Sequence, residues 1–504
     1  MSLNSNEMRL VQIHSGALSG KNMVAVSLSG SEAISALFSF VVELSTDKPD
    51  IDAATVLGEE TTLLVKALLS NGEDRYIHGH IAEFTSLGMD AGGDARYRAV
   101  IVPRLWFLGL APQIKTHCHE GKRLKEIYQA LLADAKVDYK VLATDSSPAL
   151  NYFQLQYNET DLDFILRLLA VAGVSFYFEH SASGHKMVLV NSATMYPTKQ
   201  GSLRFSASGV AYAGSETVLG WRQYYHCFTP SATHLDYDNK KQDMVSGEDK
   251  YSTKIKQMQA LKANFYARGF ANIDPAKQGM PALAAEHAKA QAKVSRRSGQ
   301  GQYRRIETAS NCVSLCAGDT IELADSPPGD GDKFIITRIS HSASTGHDSG
   351  TDYSNQFECI PATAEIAPEA PAPQSVYGNL AATVVESEYD VASPNRSYGM
   401  VKVAFPWDPK TKSPWLQVAQ IFGSGGKESG AWFLPQKGDD VLVSFLGGDT
   451  RRPVIVGVMH NGKDKGPKFT NGHGDYTRIG IKTPAGHELS FCDSGGKKVK
   501  KEVY

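Results

Sequence analysis

Short apolar runs broken by turn residues dominate the first hundred positions. Residues 23–28, 38–44 and 62–68 are each six or seven residues long and largely apolar, and residues 98–102 continue the series. Strands of that length at near-regular spacing predict a barrel or a sandwich. The period then changes. Leu124, Ile127, Tyr128 and Leu131 fall at i, i+3, i+4 and i+7, one face of a helix. A second helix is expected over 161–172, with Leu162, Ile165, Leu168 and Leu169 on one face. Thr160 can accept from the N–H three residues on, Asp163 stands at the capping-box position, and Gly173 supplies a left-handed stop. Residues 174–179 follow as a strand, so this helix should dock on a sheet. An alanine-rich helix is expected over 283–294, and strands resume at 320–323 and 334–339.

The clearest boundary is 361–373, where Pro361, Pro368, Pro371 and Pro373 stand among alanines. Such a segment cannot join a ladder and favours an extended chain. A block of strands follows over 381–458. In 401–405 one face is polar and one apolar, but in 441–446 and 453–458 both faces are largely apolar. A small barrel buries one face of each strand in its own core. The other face needs a cover, and a second subunit or domain is the simplest one, symmetric self-association being the default. After a polar stretch, residues 477–483 and 487–492 read as a hairpin turning through Pro484-Ala485-Gly486. Ile479 and Ile481 alternate with Arg478, Gly480 and Lys482, as Leu489 and Phe491 do in the second strand. Three copies around an axis could bury that stripe. Lys497, Lys498, Lys500 and Lys501 would then repel one another, so ordered packing should stop near Asp493.

Charge changes this picture little. Lysine plus arginine number 52 against 54 acidic residues, a net of −2 that leaves no chain-wide footprint for nucleic acid or anionic membrane. No apolar run reaches the roughly 20 residues of a membrane helix. Residues 1–18 lack the basic-then-apolar pattern of a cleavable signal peptide. The cysteines, Cys118, Cys227, Cys312, Cys316, Cys359 and Cys492, are scattered, and they read as buried or half-buried free thiols made in a reducing cytoplasm.

Candidate chemistry is thin. Residues 423–428 are glycine-rich and contain Lys427, but Ile421 and Glu428 stand where a phosphate loop needs Gly and Ser or Thr. His117-Cys118-His119 has ligand types, yet neighbours on one short segment cannot all face one ion. Gly329 to Asp332 lacks the bidentate Glu of a calcium loop and reads as a turn. No nucleophile elbow is found. Trp407, Trp415 and Trp432 with Arg451-Arg452 could form a nucleic-acid platform, but Asp408, Asp439, Asp440 and Asp449 surround them. The expectation is therefore no catalytic residues, no metal site, no cofactor and no nucleic-acid partner.

The block 381–458 carries a resemblance. Gly399 through Asp408 (GMVKVAFPWD) is similar to the G-R-V-K-V-x-F-P-W-D signature of VgrG proteins, spikes of the type VI secretion system. Residues 413–420, 435–449 and 452–457 resemble the family's next elements, in the same order. Nearer the front, Gln156, Tyr157, Glu159, Thr160, Asp161, Phe164, Arg167 and 173–180 resemble its Q-Y-x-E-S-D-x-x-F-x-x-R-L…G-x-x-Y-x-F-E-H element. Ser35, Phe38, Phe40, Gly58, Gly79 and 103–108 fit its first barrel. Met400 stands where Arg is usual, Gln417 where a basic residue is common, Asp440 for Glu and Thr450 for Pro, all read as surface or turn positions. Family members usually continue through a long β-prism, whereas this sequence stops at Tyr504.

The resemblance covers about 1–490 and implies a mainly β protein with an α+β hub. Two tube-forming β-barrel domains (1–372), an OB-type β-barrel (373–465) and the start of a trimeric β-prism stem with a tail (466–504) are expected. It further implies a homotrimer that caps a tube of hexameric rings and meets baseplate proteins. A tip protein and an effector or adaptor would sit at the C-terminal end. The protein would be assembled in the cytoplasm and then secreted without a signal peptide. A contractile phage-tail hub shares the same plan.

Overall fold

The computed structural model describes residues 6, 9–69, 72–144, 150–238, 243–266, 281–325, 331–345, 351–369, 375–388, 399–424, 429–463, 466–468 and 478–492. They fall into two compact units, Met1–Ser375 with Gly447–Arg452, and Val376–Leu446 with Pro453–Tyr504.

The first unit opens with β1 (Val11–Ser15), β2 (Val24–Ala33), β3 (Ser39–Thr46), β4 (Glu60–Val65), β5 (Arg75–Met89) and β6 (Ala95–Val102). They hydrogen-bond in the order β1-β4-β5-β6-β3-β2. No ladder joins the end strands β1 and β2, but the Arg9 guanidinium donates to Ala25 O at 3.2 Å. Inward residues such as Val11, Leu28, Phe40, Val42, Leu63, Ile77 and Ile101 form one core. At Gly79 this barrel is too tight for a side chain, because a Cβ there would lie 2.7 Å from both Ile101 Cγ2 and Val102 O.

Next come β7 (Pro112–Lys122), helix α1 (Leu124–Asp134), β8 (Tyr139–Val141), β9 (Leu150–Thr160), helix α2 (Asp161–Val171), β10 (Ser175–Ser181) and β11 (Gly184–Val190). α1 buries Leu124, Ile127, Tyr128 and Leu132, whereas the expected Leu131 is only half-buried: the face is rotated by one residue. α2 begins as its sequence implies, with Thr160 Oγ1 accepting from Asp163 N at 3.0 Å, and Gly173 follows at φ +65°. Both helices pack into the first core.

The second half of the unit contains β12 (Thr198–Ser206), β13 (Thr217–Tyr225), β14 (Ser231–Asp238), β15 (Asp243–Lys250), a short helix α3 (Lys256–Gln259), β16 (Lys262–Tyr266) and helix α4 (Pro281–Gly301). β17 (Arg304–Ser310), β18 (Thr320–Ala324), β19 (Lys333–Thr345) and β20 (Thr351–Pro361) complete it. β19-β18-β12-β13-β17-β20 closes on itself, since β20 also pairs with β19. That closure makes a second barrel with Phe334, Ile336, Phe357 and Cys359 inside. β19 also pairs with β2, so the two barrels belong to one twelve-stranded sheet. α4 runs seven residues past the expected end. Its buried Ala284 and Ala288 pack with Val245, and Gly247 meets the helix backbone directly.

The second unit contains β21 (Leu380–Ser387), β22 (Met400–Ala404), β23 (Leu416–Gln417), β24 (Gly423–Ser424), β25 (Ser429–Gly430), β26 (Asp440–Phe445) and β27 (Pro453–Met459). Five of these order as β23-β22-β21-β26-β27. A parallel bridge between Val418 and Ile455 then returns β27 to the chain after β23. Ala382, Val384, Val403, Val441, Val443 and Ile455 are buried within it. A five-stranded barrel with this order is an OB-type barrel. A separate two-stranded sheet, β28 (Arg478–Lys482) and β29 (Glu488–Cys492), completes the described chain.

Candidate functional site

Of the segments read as possible chemistry, the described residues make ladder and packing contacts. Gly423 and Ser424 pair with Gly430 and Ser429 as a small ladder, while Lys427 and Glu428 lie outside the described residues. His117 lies in strand β7, not a loop. Its Nε2 is 3.1 Å from Gln156 Oε1, its ring stacks 4.5 Å from Phe164, and burial pushes its pKa down. The side chains of Cys118 and His119 lie outside the described residues, as do Gly329 and Asp330; Gly331 adopts φ +75° just before β19. Among the described residues no group of three or more His, Cys, Asp or Glu is arranged to hold a metal ion. Cys312 and Cys359 are buried free thiols and Cys316 is half-buried, but Cys227 is exposed, contrary to expectation. Trp407 stacks on Phe405 at 4.6 Å and Trp415 faces Lys402. Asp449 holds Arg451 through both carboxylate oxygens at 3.0 and 2.8 Å.

Two polar networks fix the first unit internally. In the motif of residues 154–167, Arg167 sends Nε and Nη2 to the two oxygens of Glu159 at 2.9 and 2.8 Å, and Nη1 to Gln154. Gln156 Nε2 donates to Glu159 O and to Asp161 Oδ1, and Lys115 pairs with Asp161 at 2.8 Å. The motif therefore locks α2 onto β9. Where β2 and β5 of the first barrel meet β19 and β20 of the second, Arg75 and Glu32 pair at 2.5 Å, each with 4% of its side chain exposed. Arg75 Nη1 also contacts Leu315 O and His341 Nε2 at 2.7 Å. His341 Nδ1 meets Tyr353 Oη at 2.7 Å, and Asn355 donates to Cys312 O. Burial raises the Glu32 carboxyl, but Arg75 and His341 outweigh it and bring the pKa to about 2. The first two groups were named in no motif. Each lies in a polar stretch that looks solvated in sequence.

The second unit displays apolar side chains instead of hiding them. Along β26 and β27 the inner Val441, Val443, Phe445 and Ile455 are buried, while Leu446, Val456, Val458 and Met459 are exposed. Ile421 is 81% exposed and Phe422 64%, with Trp432 and Phe433 also in the open. In the β28–β29 hairpin Ile479 pairs with Phe491 and Ile481 with Leu489, which places all four on one face, and all four are exposed. The other face is polar: Lys482 and Glu488 form an ion pair at 3.5 Å and Ser490 is buried. A lone two-stranded hairpin is marginal in water. One with its apolar face outward requires a cover. One departure from the family pattern, Met400, was misjudged as a surface or turn position, whereas Thr450 does lie in a turn. Met400 is 4% exposed, and Thr450, though in a turn, is buried as well. An uncharged residue at 400 suits a buried position, here on the face of β22 opposite the core-facing Val401 and Val403.

Two fused barrels followed by an OB-type barrel define a hub of the contractile-injection class. The chain belongs to the phage tail baseplate hub (GPD) family, whose model matches residues 31–347. A second model, the type VI secretion system/phage-baseplate injector OB domain, matches 382–460. Among relatives, the type VI secretion system spike protein VgrG1c of Pseudomonas aeruginosa is 24% identical over 479 residues, covering 92% of this chain and 63% of that protein. VgrG5 of the same organism is 27% identical, covering 88% and 56%. The actin cross-linking toxin VgrG1 of Vibrio cholerae is 24% identical, covering 92% and 42%. The chain thus spans about three fifths of the length of the first of these relatives. An Escherichia coli component of the type VI secretion system, described as structurally similar to the bacteriophage T4 tail proteins gp27 and gp5, shares the fold. Its TM-score is 0.63 at 18% identity, covering 89% of this chain and 100% of that one. The VgrG-bearing PdpA complex of Francisella, half-lidded, gives 0.56 at 9% identity, covering 94% and 79%.

Proposed function

We propose that the protein is the hub and spike base of a type VI secretion system, with residues 1–372 as hub, 373–465 as OB-type barrel and a stem beginning at 466. Three copies cap a tube of hexameric rings, each chain contributing two barrels so that six meet the ring. Sheath contraction drives the assembly through the target membrane with an effector or adaptor and a tip protein at its C-terminal end. It assembles in the cytoplasm beside baseplate proteins and leaves the cell with the contracting machinery. Its work is mechanical, with no substrate turned over, no cofactor and no nucleic acid bound. The observation that carries this reading is the apolar face of the 478–492 hairpin, open in one chain and coverable by two more. Large apolar interfaces of that kind give kinetic stability under load.

Light scattering coupled to gel filtration should report three chains per particle. A clean monomer at micromolar concentration would count against the assembly. Deleting the gene should stop release of the tube protein and contact-dependent intoxication of neighbours. A phage-tail hub is the second reading, favoured by the family model over 31–347. It would instead predict loss of tailed particles with secretion untouched.

A further inference from the structure

Four imidazoles gather where the β10–β11 hairpin lies against β5. His78 and His80 are buried on β5, and His180 and His185 come from the two strands of the hairpin. Phe38 stands among them, its ring 4.8 Å from His180, 5.6 Å from His185 and 5.0 Å from Phe178.

The hydrogen bonds dictate the proton count. Arg104 N–H donates to His185 Nε2 at 3.1 Å, so the ring proton of a neutral His185 sits on Nδ1. That Nδ1 is 3.0 Å from His78 Nδ1, which must accept. A proton added to His185 would point at the Arg104 N–H, and one added to His78 would point at the His185 N–H. His180 places Nδ1 3.2 Å from both His78 N and His78 O, while its Nε2 is enclosed without a partner. His80 differs: Nδ1 donates to Gly58 O at 3.1 Å, a bond that survives in either charge state.

We propose that the β10–β11 hairpin is an acid-loosened clasp on the first barrel, its closure weakened when His78, His180 or His185 takes a proton.

The surrounding charges do not rescue the protonated forms. Glu60 on β4 favours a charged His78 and Glu32 on β2 a charged His180, whereas Arg75 on β5 opposes His180 and Arg104 opposes His185. The hairpin's own charges are engaged elsewhere: Lys186 pairs with Asp138 at 3.6 Å and Glu179 accepts from Tyr177 at 3.2 Å. Burial is the largest influence on all three rings. It lowers His78, brings His180 to about 4 and His185 to about 3, the latter two against an ordinary value of 6.5. The closed state therefore excludes protons that the opened hairpin binds at its ordinary value. Its stability is complete above pH 6.5 and drains as pH falls toward 4. In that window His180 and His185 each raise the opening constant by up to about tenfold per pH unit, and His78 adds in the same direction. Opening would uncover Phe38 and Phe178 together with the core side chains Phe176, Met187 and Leu189.

The test uses the full chain. Hydrogen exchange at the imidazole carbon reads each histidine's titration. Backbone exchange, corrected for the intrinsic rate, reads opening of 175–190 against 217–225 in the second barrel. The expected result is neutral His78, His180 and His185 at pH 6, with opening of 175–190 rising at least about 100-fold from pH 7 to 5 and the reference unchanged. A triple variant, His78→Gln, His180→Phe and His185→Gln, should flatten that rise. If it does not fold, the native titrations decide alone. Ordinary titration of the three rings in the closed protein, or an equal rise in 217–225, overturns the clasp.

Discussion

Replacing Glu32 by Gln tests the joint between the two barrels. In the native chain the Glu32 carboxylate sits 2.5 Å from Arg75 and 3.4 Å from His341. It also accepts from Ala317 N at 3.3 Å, so one oxygen serves both the guanidinium and a backbone N–H. Glutamine keeps the shape and one acceptor but removes the charge, leaving the buried guanidinium without its counter-ion. Breaking a buried pair from one side costs about 3–5 kcal/mol. Unfolding entropy near the melting point is about 2.1 cal/mol/K per residue, so a unit of roughly 375 residues loses about 5 °C for 4 kcal/mol. Differential scanning calorimetry of the full chain reads this directly. The double variant Glu32→Met, Arg75→Met should recover to within about 2 °C of the wild type, because an apolar pair of similar volume avoids the desolvation of both ions. A single variant within 1 °C of wild type, or a double variant as damaged as the single, would refute the reasoning.

Other outcomes follow from the same geometry. Gly79→Ala should cost about 1–3 kcal/mol by overpacking, since its Cβ would press on Ile101 and a backbone carbonyl; denaturant melts check it. Ile479→Asp with Phe491→Asp should dissociate the proposed trimer in sedimentation velocity while leaving the hub's melting transition in place. Backbone exchange on the assembled particle should show strong protection over 478–492 and fast exchange after 494; rapid exchange throughout 470–504 would sink the stem reading. Burial raises the Asp319 carboxyl to about 6, more than the Cys316 N–H and Lys199 lower it. A raised folded pKa gives stability below about pH 4 that is lost as pH climbs past 6. Asp319→Asn should therefore stabilise at pH 7.5 by on the order of 1–2 kcal/mol, with the gain fading toward pH 5.

What the sequence displayed depended on how steeply burial alternates. The OB strands and residues 38–44 were legible because inward Val, Phe and Leu face a dry core on every second position. β12, with the sequence TKQGSLRFS, buries only Leu203 and Ser206 and half-buries others, so no period of two rises above its polar residues. β7 and β9 hide in the same way, since what they bury includes Thr116, Gln154, Gln156 and Glu159. β5 was missed because Arg75, His78 and His80 read as solvated, yet all three are buried. Their partners are distant in sequence: Glu32 precedes Arg75 by 43 residues and His341 follows it by 266. A one-dimensional pattern carries no sign of such a pairing. The apolar hairpin face was legible for the opposite reason, because no described residue covers its alternating stripe.

The seven residue pairs that join Ser27–Ala33 to Arg338–Ser344 have a consequence for birth on the ribosome. The two partners of this ladder are about 300 positions apart, and translation at about 5–20 residues per second separates their emergence by roughly 15 to 60 seconds. During that interval the nascent first barrel carries β2 with one bare edge, a template for pairing with the wrong chain. Neighbouring ribosomes on one message hold such edges close together. Cells making this protein therefore have reason to shield it by a chaperone until residue 344 has left the exit tunnel. Truncations that end before β19 should be recovered as aggregates and not as a free first barrel.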